Sequence, residues 1–304
     1  MRILFVSSTR IGDAVLSTGL LDHLLRAYPE ARFTVACGVV AEGVFARMPR
    51  LERLIPVEKK RWSLHWLGLW RQVAATHWDL VVDLRGSALA WTLLARRRAV
   101  MRGGRREGHR LLHLAATLGV QPAPRPVAWW DGADAARAEA LLPGANWLLL
   151  GPTANWSTKT WPAERFVAVA EALTAPDGAL AGARIAILGG PGAGERAAAA
   201  PVLAALPGAV DLVGQLTLPE AAAVLSRAAL FIGNDSGLMH LAAAAGAPTL
   251  GLFGPTPASE YAPVGARARA VLAKGPPGAA PMQRLSVAQV LHAAGALLAP
   301  EAVP

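Results

Sequence analysis

The sequence predicts an α/β protein of two doubly wound domains, each a parallel sheet with helices on both faces. Three observations lead there. Apolar, strand-like runs alternate with helical patterns through the first half of the chain. The alternation pauses at proline- and glycine-bearing segments and then restarts. Finally, Leu230-Phe231-Ile232-Gly233-Asn234-Asp235-Ser236-Gly237-Leu238-Met239-His240-Leu241 passes from an apolar strand through a short polar turn straight into an alanine-rich helix.

Taken in order, residues 3–7 read as a strand, 14–27 as a helix, 33–37 and 53–57 as strands, 63–76 as a helix, 80–84 as a strand and 87–97 as a helix. The segment Gln121-Pro122-Ala123-Pro124-Arg125-Pro126 is stiff, and Leu142-Pro143-Gly144 punctuates again. The domain boundary is placed after the second of these, giving domains 1–145 and 146–304. Residues 147–150 then restart the pattern as a strand, with a helix over 162–173, strands over 184–188 and 210–213, and a helix over 219–228. The strand–helix unit from 230 is closed by Gly246, 248–253 is a further strand, and 286–298 is a closing helix. Two such domains in sequence place a cleft at the C-terminal ends of both sheets, where open α/β sheets bind ligands.

Composition bounds the function. The chain has 304 residues, 53% hydrophobic and only 17% charged, enough for two ordinary cores and against disorder. No apolar run is long enough to span a bilayer, and the N-terminal stretch has no h-region, so no secretory signal is expected. A lone cysteine, Cys37, excludes an internal disulfide and a zinc cluster, which suits a cytosolic protein. The net charge of +9 is uneven: residues 1–150 carry 21 Lys and Arg against 12 Asp and Glu, whereas residues 151–304 carry 9 against 9. The first half therefore suits an anionic partner: nucleic acid, a membrane surface or a phosphorylated substrate.

Four strand-to-helix loops can carry chemistry. Ser7-Ser8-Thr9-Arg10-Ile11-Gly12-Asp13 follows the first strand, and Asp13 reads either as a helix N-cap or as a cleft-facing general base. Gly151-Pro152-Thr153-Ala154-Asn155-Trp156-Ser157-Thr158-Lys159-Thr160-Trp161-Pro162 is rich in hydroxyls and has one lysine. A cation at a helix start opposes the dipole, so Lys159 is either a solvated surface charge or the partner of an anion. Leu188-Gly189-Gly190-Pro191-Gly192-Ala193-Gly194-Glu195 is glycine-rich but is neither a dinucleotide fingerprint nor a Walker loop. Glu195 there is a surface-turn residue or a ligand for a ribose or base. In the fourth, Asp235, Ser236, Gly237 and His240 occupy a helix start that suits phosphate, with an Asp N-cap as the plain alternative.

Basic residues form two clusters. Lys59-Lys60-Arg61 introduces a helix with Trp62, Trp66 and Trp70 at helical spacing, a stripe that faces either the core or a lipid surface. A second run is Arg96-Arg97-Arg98, Arg102, Arg105, Arg106 and Arg110, placed at a helix end and in a loop.

Together these pieces resemble the lipopolysaccharide heptosyltransferases, glycosyltransferase family nine, over nearly the whole chain. The likeness is carried by Arg10-Ile11-Gly12-Asp13 with Ser17, Asp83-Leu84-Arg85-Gly86, Lys159-Thr160-Trp161-Pro162, Asn234 to His240, and Gly251-Leu252-Phe253-Gly254-Pro255-Thr256. The resemblance implies the GT-B fold, two Rossmann-like doubly wound domains facing across a cleft, acceptor on the first and sugar nucleotide on the second. It implies inverting transfer of heptose from ADP-heptose to the lipopolysaccharide inner core, with no metal and no cofactor. Asp13 matches the proposed base, Lys159 the diphosphate-binding lysine, and Asp235, Ser236, Gly237 and His240 the donor-binding loop. Thr153 stands one place from paired threonines of the family, which leaves the phosphate-side hydroxyl to Thr153, Ser157 or Thr158. Ser236 stands where some members have Thr. Lys59, Lys60 and Arg61 lie where basic residues face a lipid A/Kdo-type anionic acceptor. The implied partners are ADP-heptose, that acceptor and the inner-membrane surface, with the protein cytoplasmic and peripheral on the inner face of that membrane.

Two other readings compete with this one. A GT-B sugar-nucleotide epimerase needs no large anionic acceptor and leaves the basic first half without a role. A non-catalytic nucleotide- or nucleic-acid-binding module would use the positive charge. The aromatics, however, cluster on one helix rather than along a strand platform, so no nucleic acid partner is expected.

Overall fold

In the computed structural model, which describes residues 1–102 and 107–299, the first sheet grows outward from its own first strand. Strands β1 (Arg2–Val6), β2 (Arg32–Cys37), β3 (Leu51–Pro56), β4 (Trp78–Asp83) and β5 (Ala95–Val100) lie in the order β3-β2-β1-β4-β5. Every neighbouring pair is parallel. The chain leaves β1 toward one edge and returns on its other side as β4. The connections after β1 and β4 therefore diverge, and a crevice opens at the C-terminal ends of those two strands.

The second sheet repeats the device. Strands β6 (Trp147–Gly151), β7 (Arg184–Ile187), β8 (Val210–Asp211), β9 (Ala228–Asn234), β10 (Thr249–Phe253) and β11 (Ala268–Leu272) lie in the order β11-β10-β9-β6-β7-β8, again parallel throughout. Its switch point is between β6 and β9. Leu148, Leu149, Leu150, Leu230, Phe231 and Ile232 are fully buried, as expected where helices cover both faces of a parallel sheet. Gly151 and Gly233 are register partners at the C-terminal end of this pair. A Cβ on either would come within 2.7 Å of the Phe231 ring, so that ring is what requires glycine at both positions.

The two compact units are Met1–Trp130 and Asp131–Pro304, a division earlier than the 145/146 boundary suggested by the sequence. The helix Gly132–Leu141 accounts for the difference. Asp131 and Asp134 form a capping box at its start, and the helix packs on Leu218–Leu225 of the second unit. Arg227 also reaches back to Glu139, 2.5 Å away.

Two expectations about local structure are corrected. Residues 87–97 are not one helix: Leu89–Thr92 makes a single turn and β5 begins at Ala95. Arg98 closes that turn, donating from Nε to the carbonyl of Ala90 (2.7 Å) and from Nη2 to that of Leu93 (2.6 Å). Arg96, Arg97 and Arg98 consequently sit on an edge strand, where charge discourages pairing with another chain. Arg105 and Arg106 of the same basic run lie outside the described residues.

The tryptophan stripe also divides. Trp62 belongs to a separate 3-10 turn, Arg61–Ser63, with φ of +55°, and is 86% exposed. The helix proper is His65–Val73; it buries Leu69 and Val73, and Trp66 packs on the same core. Trp70, Leu64 and Leu67 are exposed beside Trp62 in the sequence. Among the described residues no helix is long and apolar enough to cross a membrane.

Candidate active site

In the second unit the site is assembled at the β6/β9 switch point. The connection after β6, residues 152–161, and the turn after β9 flank the crevice. Asn234, the last residue of β9, is fully buried; its Nδ2 donates to the carbonyl of Pro152 (2.8 Å) and its Oδ1 accepts from the N–H of Trp161 (3.0 Å). Trp161 is itself buried, donating from Nε1 to the carbonyl of Leu285 (2.9 Å) and meeting Phe166 edge to face at 5.1 Å.

Between those anchors, Ser157–Lys159 forms a 3-10 turn from which Lys159 reaches Asp235, Nζ to Oδ2 at 2.6 Å. Thr256 Oγ1 donates to the same carboxylate oxygen at 2.8 Å. The Asp235 side chain is 8% exposed and that of Lys159 18%, so the pair is mostly withdrawn from water with the cation on the wetter side. Trp156 lies with its ring centroid 5.1 Å from Nζ.

The helix Gly237–Ala244 starts two residues after Asp235. Its N-cap is Ser236, in extended conformation and with no side-chain cap, so the Asp N-cap alternative does not hold. The first N–H groups of this helix, uncapped by that side chain, and the positive end of its dipole suit an anion. Ser236 and Gly237 are half-buried, and His240 is buried one turn further in.

Thr153 is buried in the connection, two residues beyond β6. Glu195, in the first turn of the helix Ala193–Ala205, accepts from the N–H of Gly190 at 3.0 Å. A Cβ at Gly189 would meet Thr153 Cγ2 at 3.2 Å and Glu195 Oε2 at 3.4 Å, which places the three residues side by side. Ser157 and Thr158 are exposed on the Lys159 turn. A hollow of about 310 Å³ opens beside Glu195 at the C-terminal ends of β7 and β8, walled by Gly190, Gly192, Arg196 and Gly214. A larger one, about 500 Å³, lies around Trp147, Arg184 and Pro207 at the N-terminal ends of the strands, away from where open α/β sheets bind ligands. Of these two, the smaller lies at the strand ends where open α/β sheets bind ligands.

In the first unit, Asp13 is not an N-cap either. The helix Ile11–Ala27 is capped at Arg10, and Asp13 lies in its first turn, where a carboxylate complements the dipole. Its Oδ1 is 3.4 Å from Nε of Arg110, the first residue of the helix Arg110–Leu118. A cation there opposes that helix's own dipole, so the carboxylate accounts for its placement. The β1 loop is locked from both sides. Ser7 and Ser17 share a hydroxyl hydrogen bond of 2.9 Å, and a Cβ on Gly38 would come within 2.5 Å of Thr9 Cα.

Asp83, at the end of β4, is fully buried and accepts from the N–H of Arg85 (2.8 Å), the N–H of Ser87 (2.9 Å) and the Ser87 hydroxyl (2.6 Å). It shapes the turn on the other side of the crevice. Lys59, Lys60 and Arg61 are exposed beyond β3, at the outer edge of the sheet. Among the described residues the cation brought to Asp13 is Arg110, which the sequence had placed only in a basic run. Cys37 is buried, and burial together with nearby Glu42 raises its thiol pKa to about 12, so it stays protonated and unreactive. Among the described residues no group of three or more His, Cys, Asp or Glu is placed to hold a metal ion.

Two parallel-sheet units, one with a lysine and a helix start at its switch point and the other with a carboxylate at its own, have the architecture of the α/β proteins that bind ligands at the C-terminal ends of their strands. Residues 114–289 match the model of glycosyltransferase family 9 (heptosyltransferase). The chain is 30% identical over 293 residues to lipopolysaccharide heptosyltransferase 1 of Pseudomonas aeruginosa, covering 84% of this chain and 79% of that protein. The family 9 glycosyltransferase of Veillonella parvula is similar in structure, with a TM-score of 0.77 at 24% identity over 98% of this chain and 97% of that one. So is the ADP-heptose LPS heptosyltransferase II of Escherichia coli, with a TM-score of 0.77 at 21% identity over 98% of both chains. The chain belongs to glycosyltransferase family 9. It is a glycosyltransferase with the GT-B fold.

Proposed function

We propose that this protein transfers a heptose from ADP-heptose to the inner core of lipopolysaccharide, with inversion and without a metal. The second unit takes the donor and the first takes the acceptor. The observation that carries the reading is the Lys159–Asp235 pair beside an uncapped helix start at the β6/β9 switch point. A diphosphate arriving there meets a cation and a positive dipole end together, and both gain weight as ADP leaves with growing negative charge. Lys159 also neutralises Asp235, which would otherwise repel the phosphates. Glu195 and the glycine-walled hollow beside it suit the nucleoside, and Thr153, Ser157, Ser236, Gly237 and His240 complete the donor site.

Asp13 is the general base. It removes the proton from the acceptor hydroxyl as that oxygen bonds to the anomeric carbon and the bond from that carbon to ADP breaks. A single displacement inverts the anomeric centre. Arg110 orients the carboxylate. Lys59, Lys60 and Arg61 engage the anionic lipid A/Kdo-type acceptor. Exposed Trp62, Leu64, Leu67 and Trp70 next to them suit the inner face of the cytoplasmic membrane.

Release of ADP from ADP-heptose, measured with and without that acceptor, is the test. Acceptor-dependent release supports the reading. An epimerase would convert the donor with no acceptor, and a non-catalytic binder would release no ADP in either case.

A further inference from the structure

A buried amide must have both its ends satisfied, and the way Asn234 is satisfied determines where the site's lysine stands. Asn234 is fully buried, and its two hydrogen bonds go to the two ends of one loop: the carbonyl of Pro152 at 2.8 Å and the N–H of Trp161 at 3.0 Å. Between them the Ser157–Lys159 turn is bonded to itself. The N–H of Lys159 donates to Trp156 at 3.0 Å and that of Thr160 to Ser157 at 3.1 Å. The turn is thus a small unit of its own, and the hydrogen bonds at both ends of its loop converge on one side chain of β9. The residue that follows β9, Asp235, holds the Lys159 ammonium at 2.6 Å. Adjacent residues therefore grip the same loop, one by its backbone ends and the other by its cation.

From this geometry we infer that Asn234 is a positioning residue for Lys159. It fixes the loop so that the ammonium stands at the Asp235 carboxylate, two residues before the helix Gly237–Ala244, before any donor arrives. Asparagine suits the task because it combines one donor group and one acceptor group on a short stem. Aspartate keeps only the acceptor, glutamine is a methylene too long, and serine offers a single atom for two partners. The benefit is preorganisation: a flexible lysine is held near its bound position instead of being ordered when the ligand binds.

The inference rests on the assignment of Lys159 to the donor diphosphate, and the experiment separates the two. ADP affinity is measured by calorimetry for the wild type, Asn234→Ala, Lys159→Ala and the double variant, together with kinetics against donor and acceptor. Asn234→Ala should weaken ADP binding about tenfold, the scale of a lost positioning hydrogen bond. It should raise the donor KM and leave the acceptor KM alone. In the Lys159→Ala background the same change should have no further effect on ADP affinity, because it acts through the lysine. Asn234→Ser, neutral and able to keep one of the two bonds, provides a second variant should the alanine form not fold, with an expected loss no larger than about tenfold but again absent without Lys159. Val290→Ala, a fully buried core change in the helix Val287–Leu298, should lower the melting temperature and leave ADP affinity unchanged. Additive losses in the double variant, or a lower melting temperature with unchanged ADP affinity, would reduce Asn234 to a structural residue. Unchanged affinity in Lys159→Ala alone would remove the donor assignment itself, and this inference with it.

Discussion

Replacing Lys159 with alanine should produce two effects that can be measured apart. The first is on the fold. The change leaves the Asp235 carboxylate, 8% exposed, with the Thr256 hydroxyl as its remaining partner at 2.8 Å. Breaking a fully buried pair costs about 3–5 kcal/mol. Here the retained hydroxyl and the partial wetness of the lysine reduce the expected loss to roughly 1–3 kcal/mol. The second effect is on binding: one charge-assisted contact to the diphosphate is lost, again roughly 1–3 kcal/mol, or about 5- to 150-fold in the ADP dissociation constant. Calorimetric titration with ADP and thermal melts without it separate the two. The double variant Lys159→Ala/Asp235→Ala tells them apart further, since removing the orphaned carboxylate should recover much of the melting temperature but only the part of the ADP affinity that its repulsion of the phosphates had cost. Wild-type ADP affinity in Lys159→Ala would refute the reasoning.

Further outcomes follow from the same geometry. Asp13→Asn should fold and bind ADP as the wild type does, with turnover reduced about a hundredfold or more in a steady-state assay; near-normal turnover would leave Asp13 only a dipole partner of its helix. Reversing Lys59, Lys60 and Arg61 to Glu should release the protein from anionic vesicles at low salt, each cation near such a surface being worth ~1 kcal/mol, with ADP binding intact. Trp62→Ala should weaken vesicle binding, whereas Trp66→Ala, which disturbs a core contact, should lower the melting temperature and leave vesicle binding unchanged. Cys37, buried and with its thiol pKa raised to about 12, should resist a thiol reagent in the native protein and react once denaturant unfolds it.

The sheet strands were legible because both faces of each central strand are covered. Such strands are continuous apolar runs, as in 147–150 and 230–232, and need no knowledge of the partner. The segment 87–97 misled because its single helical turn is ended by Arg98, whose guanidinium folds back on the carbonyls of Ala90 and Leu93; nothing in a local apolar pattern encodes that. The helix at 132 had a readable signal in Asp131 and Asp134, the two halves of a capping box. Asp13 and Asp235 were legible as helix caps or ligands, and neither is the cap: the N-cap positions belong to Arg10 and Ser236 respectively. Their partners were beyond sequence reading: Lys159 meets Asp235 and Arg110 meets Asp13 only once the chain is folded. Thr256 stood in a quoted motif, but its hydroxyl gains meaning only beside Asp235.

The most direct test is the anomeric configuration of the product formed from ADP-heptose and a lipid A/Kdo-type acceptor in the presence of a chelator, read by nuclear magnetic resonance. The account predicts one glycosidic product of inverted configuration, with one ADP released for each bond made and no loss of rate on chelation. Retained configuration, or a reaction abolished by the chelator, would contradict it.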